Sequence, residues 1–153
     1  MPTRLLDWTS NALGALWFVV TNKNLSNNGN KDGVVWMLSF TDQDRRDDNL
    51  RPFEISKPEI LRPRHVEKRL VAQGGWFTIH PDNKPLDQDK TFQNRLKQIL
   101  IPYKHFDDIR FMLNLCGLNQ VTLFPELDGL CKHIAYQNSK EYTERRDRER
   151  NIQ

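Results

Sequence analysis

The stretch from Pro2 to Val20, PTRLLDWTSNALGALWFVV, constrains this chain more than any other. It sets Thr3, Arg4, Asp7, Trp8 and Thr9 among residues that are otherwise apolar. Leu5 and Leu6 in an extended run ask for burial, and burying them desolvates Arg4 and Asp7 on either side. A charge taken out of water needs a partner, so Arg4 and Asp7 pair with each other or with the backbone of the next helix. Leu13, Leu16 or Trp17, and Val20 then recur at helical spacing, with Thr9 or Ser10 as the cap. The expectation is a short strand running straight into a helix. Its polar groups read in two ways: as a local Arg4–Asp7 strut with a capping threonine, or as the wall of a cleft. In the second reading, free backbone N–H groups at the strand-to-helix junction would meet an anionic ligand.

The remaining chain supports one α+β domain over residues 1–137, with a small mixed sheet flanked by helices. Asn22 to Asp32 is a polar loop. Gly33 to Phe40 (GVVWMLSF) is the clearest strand, its Val and Trp content suiting a central position. TDQDRRDDNLRP is expected to be a charged, mobile loop. Pro58 and Pro63 bracket Glu59 to Arg62 and argue against a long helix. His65 to Ala72 is either a short helix or an extended segment. Gly74-Gly75 breaks the chain before the Trp76 to His80 strand. Thr91 to Gln98 reads as a helix running into a strand that Pro102 stops. His105 to Cys116 is a helix with Phe106, Ile109, Met112 or Leu113, and Cys116 on one face. Pro125 opens a last helix to about Tyr136. The charged tail, 138–153, has no apolar face and is expected to fray.

Composition excludes several classes. With 23 basic and 20 acidic residues among 153, no basic run stands free of acidic neighbours, which disfavours a nucleic-acid partner. The apolar run Ala12 to Val20 is too short to span a membrane. The opening residues lack the order of a signal peptide, so the cytoplasm is the expected address. Cys116 and Cys131 are the only cysteines and suit a reduced compartment, Cys131 as a buried thiol. His65 and His80 lack the spacing of a metal site, and no nucleophile–base arrangement is legible. Gln73, beside two glycines that permit close approach, either faces a cleft or belongs to a turn. The four tryptophans read as core anchors, with Trp8 also suited to stacking on a base or nicotinamide ring.

The block PTRLLDWT followed by SNALGALWF resembles the signature of the FRG domain family of bacteria and phages. DGVVWML (Asp32 to Leu38), PRHVEKRLVAQGGWFTIH (Pro63 to His80), LKQILIP (Leu96 to Pro102) and GLNQVTLFPELDGLCKHI (Gly117 to Ile134) extend the resemblance. The family takes its name from an upstream (Phe/Tyr)-Arg-Gly motif, and this chain contains no Arg-Gly dipeptide. The resemblance therefore implies a partial domain lacking its N-terminal strand region. That leaves an unpaired apolar sheet edge open to self-association or to a partner chain. A fainter likeness connects the block order to ADP-ribosyltransferases and implies a nucleotide ligand, NAD. Thr3, Arg4, Asp7, Trp8, Thr9 and Gln73 are then the ligand-binding candidates. Thr3 and Thr9 would lie near the family's Ser/Thr position and Gln73 near its Glu position. A glutamine keeps the hydrogen bond of that glutamate and loses its charge. The competing expectations are a non-catalytic interaction module, or remnant of a decayed or split gene, and a nucleic-acid-binding or nuclease domain.

Overall fold

A computed structural model describes residues 3–22, 30–46, 54–63, 67–82 and 84–150. Strand β1 (Leu5–Thr9) leads through Ser10 into helix α1 (Ala12–Val20). Leu5 and Leu6, expected to be buried, are exposed, because β1 is an edge strand that pairs only with β4 among the described residues. The cap of α1 is Asn11, whose side chain accepts the Gly14 N–H, and neither Thr9 nor Ser10 plays that part. The Thr9 hydroxyl is instead held between the Gln73 carbonyl and the Asn11 N–H. There follow β2 (Gly33–Leu38), β3 (Glu59–Leu61), α2 (Lys68–Gln73), β4 (Gly75–Ile79) and β5 (Leu96–Ile101). Four helices close the chain: α3 (Phe106–Leu115), the single turn α4 (Gln120–Leu123), α5 (Leu127–Gln137) and α6 (Lys140–Arg150).

The α+β class holds, but in place of one mixed sheet there are two antiparallel ones, a three-stranded β1-β4-β3 and a two-stranded β2-β5. Strand β2, expected at the centre of a sheet, pairs on one side only among the described residues. The expected helix at Thr91 to Gln98 is a 3-10 turn at Gln93–Arg95 followed at once by β5. Phe92, fully buried, is the tertiary anchor that overrides helical propensity there.

The apolar side chains gather in two clusters. Trp17 and Val20 of α1 pack on Phe106 and Leu113 of α3 and on Leu123 of α4. Ile60, Leu86 and Phe92 form the second, flanked by Trp8, Trp76, Leu38 and Leu96. Each side chain fully removed from water contributes about 1.5–3 kcal/mol. The first turn of α5 approaches Phe124 closely: a Cβ added to Gly129 would stand 1.9 Å from the Phe124 carbonyl oxygen.

Two charged segments are structural where the sequence suggested mobility. Asp44 is buried, accepts from the Thr41 N–H (2.7 Å) and hydroxyl (2.9 Å), and pairs with Arg95 at 2.6 Å. Arg46 pairs with Glu59 at 3.0 Å, both side chains largely buried. Residues 47–53 of that loop, like most of the Asn22 to Asp32 loop and His65, lie outside the described residues. The tail forms α6, whose Tyr142 is buried against the rings of Phe111 (5.7 Å) and Tyr136 (5.1 Å). Arg145 pairs with Asp108 at 2.6 Å and lies over the Phe111 ring. One buried aromatic thus pins a helix whose polar surface has no apolar stripe. Cys131, expected to be buried, is exposed on α5.

Tyr142→Ala is expected to destabilise the protein by about 2–4 kcal/mol, in the range of large-to-small core changes. Lys140→Ala, at an exposed ion pair on the same helix, should change it by less than about 0.5 kcal/mol. Urea denaturation checks both, and equal effects would show that Tyr142 does not anchor α6.

Candidate functional site

A cavity of about 680 Å³ lies between the two clusters, bounded by β1, α1, β2 and α2. That is within the usual size of small-ligand and peptide pockets. β1 contributes Leu6, Asp7, Trp8 and Thr9; α1 contributes Ala15, Phe18 and Val19; β2 contributes Val34, Val35 and Trp36. Arg69 and Gln73 of α2 close one end, and Leu86, Asp87 and Leu96 line the side toward the second cluster. The lining is mostly apolar, and Trp36 (41% exposed) and Val34 (39%) remain open to solvent. Contiguous exposed apolar surface rimmed by polar residues is what interaction sites present.

The β1–β4 ladder positions this wall. It runs from Leu5↔Ile79 to Thr9↔Gly75. The His80 N–H donates to the Arg4 carbonyl (2.8 Å) and the Ser10 N–H to the Gly74 carbonyl (2.9 Å). Those bonds put Arg4, Leu6, Trp8 and Ser10 at the hydrogen-bonded positions, so Leu5, Asp7 and Thr9 turn their N–H and C=O groups away from β4. Gly74 makes the closure of this end possible. It ends α2 in the left-handed region (φ +58°), and a Cβ there would stand 2.8 Å from Ser10 Oγ.

The predicted site residues separate into two groups. Asp7, Trp8, Thr9 and Gln73 line the cavity. The Thr9 hydroxyl donates to the Gln73 carbonyl (2.6 Å) and accepts from the Asn11 N–H (2.9 Å), which ties β1 to α2. The Gln73 side-chain amide donates to the Leu123 carbonyl at 3.1 Å. Asp7 is exposed and forms no ion pair among the described residues. Thr3 and Arg4 stand outside the cavity lining. Thr3 Oγ1 accepts the Leu5 N–H (2.9 Å) and donates to the Leu5 carbonyl (3.2 Å), capping that edge of β1. Arg4 Nε donates to the His80 carbonyl at 2.7 Å, so its local partner is backbone of the neighbouring strand end and not Asp7. Trp36, expected as a core anchor, is instead exposed in the lining, because β2 pairs only with β5 among the described residues. Arg69, Asp87 and Val34 enter the lining without having been singled out from the sequence. The uniformly apolar GVVWML gives no alternation from which an open face can be read.

Behind Trp8 runs a buried polar relay. Trp8 Nε1 donates to Thr78 Oγ1 (3.1 Å), and Thr78 Oγ1 lies 2.9 Å from His80 Nε2. Both Thr78 and His80 are buried. Burial holds the His80 imidazole below its ordinary pKa, against the opposing pull of the Asp82 and Asp89 carboxylates. A neutral ring lets Nε2 accept from the Thr78 hydroxyl while that hydroxyl accepts from Trp8; an imidazolium would present a second donor to the same oxygen. Among the described residues no cluster of His, Cys, Asp and Glu is arranged to hold a metal ion, and no helix is long and apolar enough to cross a membrane.

Residues 1–28, which include β1 and α1, match the FRG domain family model. The later blocks that extend the resemblance along the sequence lie outside that match. No curated protein and no solved structure shows significant similarity to the chain.

Unfolded, His80 takes up its proton near pH 6.5, whereas the folded protein binds it only at lower pH. The unfolded state thus carries more protons in that window, and stability falls as the pH drops below about 6.5. Asp44 adds to the loss at more acid pH. Its burial opposes ionisation, but the bonds from Thr41 and the Arg95 charge outweigh it and hold the carboxyl below its ordinary value. Melting temperatures measured from pH 8 to pH 5 should decline below pH 6.5, and His80→Gln should flatten that part of the curve. An unchanged slope in the variant would show that His80 is not the titrating group.

Proposed function

Starting from an N-terminus that matches the FRG domain, we propose that this chain is a non-catalytic interaction module that takes an apolar ligand into the cleft between β1 and β2. One observation carries the reading. Trp8, Phe18, Val34 and Trp36 form an open apolar wall around a cavity of ligand size, at a place where burial would be favourable. The polar groups present do not assemble into a reaction centre. Thr9 Oγ1 is held between Gln73 and Asn11, so the hydroxyl at the strand end serves the fold. The Gln73 amide N–H₂ is committed to Leu123. Asp7 and Asp87 are exposed carboxylates beside an apolar floor, suited to selecting a ligand by charge.

A second reading, binding of NAD or a related nucleotide in an ADP-ribosyltransferase-like manner, is supported by Trp8 and Trp36 in the same cavity as Asp7 and Arg69. Aromatic faces suit a base, and the guanidinium suits a phosphate. It is the weaker of the two. The position expected to stabilise a developing ribose cation carries Gln73, which has no charge to offer. Arg69 lies over the Phe124 ring, 4.6 Å from its centroid.

The environment-sensitive dye anilinonaphthalene sulfonate should bind saturably, with a fluorescence increase. Trp36→Ala should weaken it about tenfold, equivalent to about 1.4 kcal/mol, while the thermal melt stays cooperative. Dye binding insensitive to Trp36→Ala and to Val34→Asp would overturn the cleft as the site. Millimolar NAD that raises the melting temperature of the wild type, but not of Asp7→Ala, would favour the nucleotide reading instead.

A further inference from the structure

We infer that the cleft accepts one extended polypeptide segment, which inserts as a strand between β1 and β2 and hydrogen-bonds to both. The inference rests on the interaction-module reading and names its ligand class. Strand β1 is the first edge. Its outward N–H and C=O groups belong to Leu5, Asp7 and Thr9, and Thr3 already occupies those of Leu5. Those of Asp7 and Thr9 have no backbone partner among the described residues.

The register of the other ribbon supplies the second edge. β2 and β5 pair from Gly33↔Ile101 to Leu38↔Leu96. The Ser39 N–H donates to the Arg95 carbonyl at 3.1 Å, one step beyond that ladder. Hydrogen-bonded positions alternate, so Met37, Val35 and Gly33 face β5, while Val34, Trp36 and Leu38 turn their backbone groups outward. Asp7, Thr9, Val34 and Trp36 all line the one cavity. Each strand lines it with consecutive residues, Leu6 to Thr9 and Val34 to Trp36. Successive side chains of a strand point to opposite faces, so consecutive lining residues mean that the cavity abuts the strand edge and not one face. Two edges, unpaired among the described residues, thus border the same space.

Size and chemistry agree with a strand. At about 3.3 Å rise, 4.8 Å strand spacing and 10 Å layer spacing, a residue in a packed sheet occupies roughly 160 Å³. A cavity of about 680 Å³ therefore holds about four residues. Only polypeptide backbone carries donors and acceptors on both sides at the repeat these edges require, as in other strand-addition complexes. The side chains of such a segment would alternate between Phe18 and Val19 of α1 and Leu86 and Leu96 on the opposite side, which calls for apolar residues. Asp7 and Asp87 are exposed and form no ion pair among the described residues, so the segment also carries lysine or arginine.

The test uses the full chain and a fluorescein-labelled peptide, Lys-Val-Ile-Val-Leu-Val-Lys, with two analogues N-methylated at alternate residues in opposite phase. An inserted strand sends successive N–H groups to opposite edges. The parent should displace anilinonaphthalene sulfonate, both methylated analogues should bind at least tenfold more weakly, and exchange of the lysines for glutamates should cost three- to tenfold. Weakening in one phase only would mean addition to a single edge and overturn the insertion. Equal binding of all three peptides, or no peptide binding where the dye still responds to Trp36→Ala, would also overturn it while leaving the cleft reading intact. Unchanged affinity of the glutamate peptide would overturn the charge assignment. A dimer in sedimentation that excludes the dye would give the cleft to a second copy and overturn the peptide as occupant. Dye binding indifferent to Trp36→Ala would instead defeat the cleft reading beneath the inference.

Discussion

The ladder between β1 and β4 holds the rest of the molecule in position, and side chains close it at both ends. At one end Arg4 reaches the His80 carbonyl; at the other, the Thr9 hydroxyl and the Ser10 N–H grip the Gln73 and Gly74 carbonyls. The ladder cannot slip by one residue, because a slip would turn Leu6 and Trp8 to the opposite face and break the Trp8–Thr78 hydrogen bond. With the register set, α1 leaves Ser10 in a fixed direction and brings Trp17 and Val20 onto α3. The same register directs Asp7 and Thr9 outward, toward β2. One strand pairing therefore sets both the packing of the first cluster and the opening of the cleft.

The price of that opening is apolar surface left in water. Trp36, Val34, Leu6 and Phe18 are exposed around the cavity, and the second ribbon has only two strands to bury its faces. The chain offsets this with charged and polar groups used as internal braces. Asp44 joins a 3-10 turn to the start of β5 through Arg95, Arg46 joins the same segment to β3, and the Trp8–Thr78–His80 relay fixes the back of the cleft. Buried polar groups of this kind specify one arrangement only when each is satisfied. The neutral state of His80 is part of that condition.

The start of the chain was the most legible part. Leu5, Leu6 and the helical spacing beyond Ser10 named a strand and a helix, though not the exposure of the two leucines, and of the polar residues among them Asp7, Trp8 and Thr9 line the cavity. The tail was the least legible. Nothing in KEYTERRDRER distinguishes Tyr142 from a solvated residue, because its burial depends on Phe111 and Tyr136, which come from other helices. Thr91 to Gln98 misled for a related reason: local propensity favours a helix, while burial of Phe92 and pairing with β2 reward a turn and a strand.

Local signals in the amino-acid order determined which segments are strands and helices near the N-terminus, and that the chain mixes the two. They act over a few residues, through alternation, capping and apolar spacing. Pairing partners, edges and burial lie beyond their reach, because each depends on residues far apart along the chain. That Thr9 meets Gln73, that Arg4 turns to His80, and that residues of β1 and β2 line one cavity were settled by tertiary packing alone. The site is made of that distance: its two walls share no local sequence, and only the folded chain brings them to one cavity.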